Sequence, residues 1–183
     1  DIATFSGHKI GGPQGIGCAY ISSHIQSDFA PLTLGGGQQN GLRSGTAPLP
    51  LIVGLSEAFE LFDSYENSIS ERKLLAERRD SFWAALKKEI PVLELNGPNL
   101  NDRHPGNLNV YFPEVRASEL LMSLQPQLCA SSGSACSSGS IEPSYVLLAL
   151  DNNQQRAQCS IRLSLDLINS QSDLLDAVQI LSA

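Results

Sequence analysis

Residues 6–17 read S-G-H-K-I-G-G-P-Q-G-I-G, a lysine beside a histidine followed by a run of small and turn-forming residues. A lysine amine can form a Schiff base with a carbonyl cofactor such as pyridoxal phosphate, and desolvation or a neighbouring cation activates it. Ser6 and His8 can donate hydrogen bonds to a phosphate, and glycines let backbone N–H groups approach one. The same residues also read as a Gly/Pro turn between strands that carries one exposed lysine. Residues 2–5 before the turn and 17–22 after it read as strands, the second apolar enough to be buried. Two strands cannot cover their own faces, so they need partners elsewhere.

Working outward, the 183 residues suffice for one sizeable domain or one and a half small ones. A composition of 42% hydrophobic and 17% charged residues is that of a globular protein. No apolar run approaches the roughly 18 residues of a membrane span, and no signal peptide is visible. Net charge −7 and a pI near 4.8 argue against broad binding to nucleic acid or anionic membranes. Four cysteines, Cys18, Cys129, Cys136 and Cys159, stand far apart with no metal-ligand spacing. That pattern predicts reduced thiols in a cytosol-like compartment. The sequence opens on Asp1 and its single methionine is Met122, which reads as a piece of a longer chain.

From Leu34 the chain runs L-G-G-G-Q-Q-N-G-L-R-S-G-T. This is a glycine-rich loop whose Gln38, Arg43, Ser44 and Thr46 allow contact with an anion or polar ligand; a plain surface loop is the other reading. Pro50 suits a helix start, and apolar positions from Leu51 to Phe62 and from Leu75 to Ile90 recur at helical spacing. They predict one long helix, or two with a break near residues 63–70, ending at Pro91. Glu57, Glu66, Glu71, Arg72, Glu77, Arg78 and Arg79 form the solvated side, and Trp83 belongs to the core. Strands are expected at 92–95, 108–112, 128–130 and 161–165. Helices are expected at 119–124 with Ser118 as N-cap, at 144–150, and after Ser170. Interleaved strands and helices from 92 to 183 predict a compact α/β or α+β domain.

A second chemical stretch, 131–139, reads S-S-G-S-A-C-S-S-G. Cys136 stands among serines, glycines and an alanine, so its thiol is expected on an exposed loop that can approach a substrate and withdraw. An incidental thiol in a Ser-rich loop is the alternative. Cys18, Cys129 and Cys159 stand in apolar, strand-like surroundings where cysteine acts as a small hydrophobe. Arg162 is the one charge in S-I-R-L-S-L, and a guanidinium on an apolar strand needs an anion, from the protein or from a substrate carboxylate. His24 and His104 have no constellation around them and read as surface histidines.

These four stretches, in this order and with S-I-E-P-S-Y-V-L-L-A-L following the cysteine, strongly resemble the cysteine desulfurases. Those enzymes belong to the class-V aminotransferase branch of fold-type I pyridoxal-phosphate enzymes. The resemblance implies an α/β chain forming the C-terminal part of such a transferase fold. Residues 1–49 would end the large cofactor domain and its sheet, 50–91 would be a linking helix or helices, and 92–183 would be a small α+β domain carrying the cysteine loop. It implies pyridoxal 5'-phosphate as cofactor, with Lys9 the Schiff-base lysine and Ser6 and His8 on its phosphate. Thr46 would reach the phosphate of a neighbouring subunit. Lys9, Cys136 and His8 would be catalytic, Cys136 taking sulfur from L-cysteine as a persulfide and leaving L-alanine. Arg162 would bind the substrate α-carboxylate.

The family resemblance also implies a cytoplasmic homodimer that hands sulfur to an acceptor such as an iron–sulfur scaffold, without contact to nucleic acid or membrane. Asp166-Leu167 departs from it, standing where many relatives have Gly-Arg. The family's segment before the lysine motif has no counterpart here, nor has its C-terminal tail, so the chain alone is expected to be inactive or nearly so. Two other readings stay open. One is a different class-V enzyme, such as a selenocysteine lyase or an aminotransferase, although transamination needs no thiol. The other is a non-catalytic paralogue that serves as scaffold or decoy.

Overall fold

A computed structural model describes residues 1–132, 143–151 and 153–183 of the chain. Its contacts divide it into two compact units, Asp1–Ser68 and Ile69–Ala183, and the architecture is α/β in both.

The first unit opens with an antiparallel hairpin, β1 (Ile2–Ser6) and β2 (Gly17–Ile21), in register from Ile2 opposite Ile21 to Ser6 opposite Gly17. A short 3-10 turn, Gly7–Ile10, leads away from β1. The expectation of a buried second strand is corrected here. Tyr20 in β2 is 59% exposed, and Ile2 and Phe5 in β1 are also exposed. The helix α1 (Leu49–Asn67) carries Pro50 in its first turn, where a missing N–H costs nothing, and buries Leu55 and Ala58. It ends at Ser68, whose extended backbone (φ −79°, ψ 100°) makes the break expected within 63–70.

The second unit is a three-stranded antiparallel sheet, order β3-β4-β5, with helices packed on it. Its strands are β3 (Glu94–Leu95), β4 (Asn107–Tyr111) and β5 (Ser160–Ser164). The long helix α2 (Ile69–Glu89) packs against β4 and against the last helix. Between β4 and β5 come α3 (Ala117–Ser123), α4 (Tyr145–Asp151) and α5 (Gln154–Gln158), and α6 (Gln171–Ser182) closes the chain. Phe82 and Leu86 of α2, Leu108 and Val110 of β4, Ile161 and Leu163 of β5, and Leu174 and Val178 of α6 form one core. At about 1.5–3 kcal/mol for each large apolar side chain buried, this cluster is the main source of cohesion. Trp83 packs at its margin, as expected.

Several expectations change. Residues 128–130 form no strand; instead Ser131 makes a single bridge to Arg162. The helix α3 begins two residues early, so Ser118 lies inside it, and Arg116 precedes it without a side-chain cap. Arg79, expected on the solvated face, is 2% exposed. Its guanidinium donates to Asp80 Oδ1 at 2.9 Å and to the His104 carbonyl at 3.2 Å, so α2 closes over it. Arg78 also points inward, donating to the carbonyls of Leu167 and Asn169. Cys18 and Cys129 are exposed, and only Cys159 of these three behaves as a buried hydrophobe. Among the described residues no helix is long and apolar enough to cross a membrane.

The start of α6 generates a prediction. Ser170 Oγ accepts from the Asp173 N–H at 3.2 Å, and Asp173 Oδ2 accepts from the Ser170 N–H at 2.8 Å, a capping box. The backbone bond to Ser170, then its side chain, holds the Asp173 carboxyl below its usual range. A carboxyl lowered on folding takes up a proton on unfolding, so its stabilisation is whole above the ordinary carboxylate pKa and fades as pH falls through the lowered value. Asp173→Asn should therefore lower the urea midpoint at neutral pH. The gap to the parent chain should close as pH falls below about 4. A gap that stays constant with pH would show that the carboxylate charge contributes nothing.

Candidate functional site

The first unit holds Ser6, His8, Lys9 and Thr46 in surroundings fixed by glycines. Ser6 ends β1, and His8 and Lys9 follow on the 3-10 turn, all three exposed. The turn is closed by the Gly7 N–H donating to Ile16 O at 2.9 Å and the Gly12 N–H donating to Gly7 O at 2.9 Å. Gly11 leaves it in the left-handed region at φ 82°, where a side chain would be strained.

The same turn lies against α1 at contacts too close for larger residues. A Cβ on Gly7 would stand 3.2 Å from Leu55 Cδ1, one on Gly12 3.3 Å from Ala58 Cβ, and one on Gly54 of α1 2.6 Å from Pro13 Cγ. Phe5 meets Phe59 of α1 edge-on, with ring centroids 6.0 Å apart. The glycines thus do two jobs: they bend the chain around Lys9 and press the bend onto a helix.

The glycine-rich loop folds on itself within the same unit. Ser44 Oγ donates to Thr33 O at 2.9 Å, the Gly45 N–H donates to Gln38 Oε1 at 3.3 Å, and Arg43 donates to Ser44 O at 2.8 Å. Gln39, Asn40 and Gly41 are consecutively left-handed, at φ 55°, 57° and 78°. Left-handed backbone costs a residue with a side chain roughly 1–2 kcal/mol, so the loop is held in an unusual shape. Thr46 follows it, exposed.

The second unit holds Arg162. It lies at the centre of β5 opposite Asn109, between the buried Ile161 and Leu163, so the two-residue period turns it to the other face of the sheet. Its N–H donates to Ser131 O at 2.6 Å and its carbonyl accepts from the Ser131 N–H at 3.2 Å. Cys136 lies outside the described residues. Ser131 bridges to the Arg162 backbone, and Ser144, 4% exposed, lines the same cavity as Arg162. Cys159 is poorly suited as a nucleophile, since burial pushes its thiol pKa up and outweighs the lowering by Arg116.

That cavity, about 260 Å³, also takes in Asn96, Arg103, Asn107 and Asn109. It shares a wall with a second cavity of about 430 Å³ beside Arg156. Asn96 joins the two. Its amide donates to Asn109 Oδ1 and to Ser160 Oγ, each at 2.8 Å, and its Oδ1 accepts from Arg156. Arg156 also pairs with Glu94, donates to Leu95 O, and lies 4.8 Å from the centre of the Tyr111 ring. Asn96, Arg103, Asn109 and Arg156 were not singled out by the sequence reading. The available signal was the alternation N-L-N-V-Y, whose polar members face the same side as Arg162 once the strands pair.

The family model for aminotransferase class-V matches residues 1–177. The chain is 38% identical over 181 residues to a cysteine desulfurase IscS of Rickettsia bellii and 40% identical over 182 residues to one of Ehrlichia chaffeensis. Each alignment covers 99% of this chain and 43% of the relative. Among solved structures it is similar to a NifS-like protein, with TM-score 0.82, 30% identity, and coverage of 100% of this chain and 45% of that one. A NifS-like protein from Rickettsia africae gives TM-score 0.78 and 28% identity, over 98% and 46% of the two chains. The chain therefore spans under half the length of the relatives it matches. It belongs to the class-V aminotransferase family.

The close glycine contacts yield a prediction. A Cβ on Gly17 would stand 2.4 Å from Phe5 O across the hairpin, a clash with backbone that cannot swing away. Gly17→Ala should weaken the amide-exchange protection of β1 and β2 by about 1–3 kcal/mol, the usual range for overpacking. Amides of the second unit should keep theirs. Unchanged hairpin protection would refute the close approach.

Proposed function

We propose that this chain supplies the lysine turn, the substrate-carboxylate residue and the sulfur-accepting cysteine of a pyridoxal-phosphate-dependent cysteine desulfurase. The observation that carries the reading is the Lys9 turn, an exposed lysine directly after Ser6 and His8 on backbone pressed against α1 at glycines. The residues present fit the cofactor. A hydroxyl, an imidazole and an amine in succession suit a phosphate and an aldehyde, and the tight turn behind them restricts their movement.

In this reading Lys9 is the point of cofactor attachment and later moves protons at the substrate Cα. Ser6 and His8 donate to the cofactor phosphate, and Thr46 does so toward a second subunit. Bound pyridoxal phosphate supplies the electron sink that makes a carbanion at the substrate Cα attainable. Arg162 holds the α-carboxylate of L-cysteine by charge-assisted hydrogen bonds. The Cys136 thiolate attacks the substrate sulfur, so that an S–S bond forms on Cys136 while the substrate C–S bond breaks with its electron pair left on the carbon skeleton, which takes up protons and leaves as L-alanine. The persulfide then passes to an acceptor protein. The chain corresponds to under half of each relative, and the reaction is proposed for the assembled enzyme to which these residues contribute.

The test is spectroscopic first. With pyridoxal phosphate added, the enzyme should gain a visible absorbance band that Lys9→Ala abolishes. After L-cysteine, mass spectrometry should find one extra sulfur atom on the peptide containing Cys136, and none in Cys136→Ala. Arg162→Gln should raise KM about ten- to hundredfold, the equivalent of losing hydrogen bonds between charged groups. A Lys9→Ala enzyme with an unchanged band, or sulfur transfer that survives Cys136→Ala, would overturn the assignment.

A further inference from the structure

We infer that Asn109 is a second substrate-binding residue beside Arg162, presenting an amide N–H to the substrate carboxylate, and that Asn96 is the positioning residue that holds it in that orientation. The inference rests on the reading of Arg162 as the carboxylate residue and adds two neighbours to it.

The reason is a chain of hydrogen bonds whose polarity is set at one end. Arg156 is held by its ion pair with Glu94 and lies over the Tyr111 ring. A guanidinium has donors only, so the Asn96 atom that meets Arg156 Nε must be the oxygen. The Asn96 NH2 group is thereby turned the other way, and it donates to Asn109 Oδ1 and to Ser160 Oγ, each at 2.8 Å. Ser160 cannot reverse the direction, since its hydroxyl proton goes to Arg156 O at 2.6 Å. Asn109 must therefore turn its oxygen toward Asn96, which leaves its NH2 group on the far side. An amide whose two ends are otherwise interchangeable has one orientation here.

Asn109 lines the smaller cavity and not the larger one. Its nitrogen donates to no group among the described residues. The buried side-chain atom without a partner among them is Arg103 Nε, so the half-buried Asn109 keeps its nitrogen open to what enters the cavity. Arg162 stands directly opposite Asn109 across the β4–β5 ladder, an arrangement that sets two side chains on one face with Cβ atoms about 4.5–5.5 Å apart. This placement holds whatever else Arg162 contacts. Two donor groups side by side, neither able to accept through nitrogen, suit a ligand group that offers several lone pairs in one plane, as a carboxylate does. Without the Asn96 donor, the Asn109 oxygen could take the cavity side, where it would repel the same carboxylate.

Titration of L-alanine into the full chain, followed by NMR of the asparagine side-chain amides, tests this directly, with ethylamine as the analogue that lacks the carboxylate. L-alanine should shift the Asn109 Nδ2–H resonances and ethylamine should not. Asn109→Asp, which keeps the size and the acceptor for Asn96 but loses the donor, should weaken L-alanine binding about tenfold. Asn96→Asp still accepts from Arg156 but has no N–H for Asn109, and it should weaken binding by a similar factor. In an Asn109→Ala background the Asn96 substitution should cost almost nothing further, whereas a direct effect of its added charge would persist. Backbone amides of β4 and β5 show whether each variant keeps the sheet; where one does not, the parent titration still decides. Failure of L-alanine to move the Asn109 resonances, equal shifts with ethylamine, or parent-like affinity of a folded Asn109→Asp would each overturn the role of Asn109. An Asn96→Asp loss undiminished in the Asn109→Ala background would overturn the role of Asn96. If Arg162→Gln binds normally while Asn109→Asp does not, the reading of Arg162 fails and that of Asn109 stands. The reverse pattern removes Asn109 alone.

Discussion

The pairing of β4 with β5 is the constraint on which the second unit depends. Successive side chains of a strand point to opposite faces, so burying Ile161 and Leu163 obliges Arg162 to face away from the core. A slip of one residue would drive the guanidinium among Leu108, Val110 and Phe82 and bring two large apolar side chains into the cavity. The cost of burying an unpaired charge makes that register inaccessible. Register and charge placement are therefore one decision, taken by the apolar residues on either side of the arginine. The same pairing puts Asn109 opposite Arg162, so the amide character of the cavity follows from the alternation in β4.

Around that sheet, polar groups do what apolar packing cannot. Asn96 is buried, yet its amide nitrogen and oxygen are both bonded, to Asn109, Ser160 and Arg156. Ser160 in turn donates to the Arg156 carbonyl at 2.6 Å, which ties α5 to the strand that follows it. A satisfied network of this kind fixes orientation, because each member has a single arrangement in which all its bonds are made. It holds the wall between the two cavities without adding acidic charge to the smaller one. In the first unit, glycine does the corresponding work by omission: where no Cβ stands in the way, the Lys9 turn and α1 approach closely enough to share a surface.

How much of this was legible follows from the range over which each feature is set. The turn between β1 and β2, a helix break within 63–70, the start of the last helix after Ser170 and the strand carrying Arg162 are set by neighbouring residues, and reading them locally finds them. Arg79 was misread because its charge predicts a solvated face. Its burial depends on the His104 carbonyl, 25 residues away in sequence, which no helical periodicity encodes. Ser118 was a plausible cap, but the preceding backbone was already helical by Ala117. Cys129 was placed in a strand that does not form, because its apolar neighbours pack from a loop rather than a ladder. Arg103 escaped notice because its bonds go to the backbone carbonyls of Asn96 and Pro98, which no side-chain pattern marks.

The placement of charge separates the acidity of the whole chain from the local character of its cavities. A net charge of −7 repels small anions at long range. At physiological ionic strength that repulsion is screened beyond about 8 Å, so it governs approach weakly and binding hardly at all. The lining of the smaller cavity is local: Arg103 and Arg162, no carboxylate among the described residues, and walls that include Val146, Leu147 and Leu150. Low-dielectric walls strengthen the attraction that water would otherwise dilute. Acidic residues elsewhere in the unit are engaged where they cannot compete, Asp80 with Arg79, Glu94 with Arg156, and Asp173 with the start of α6. An acidic chain and a cavity bordered by arginine and amide side chains thus coexist, because the charge that matters at a cavity is the local one.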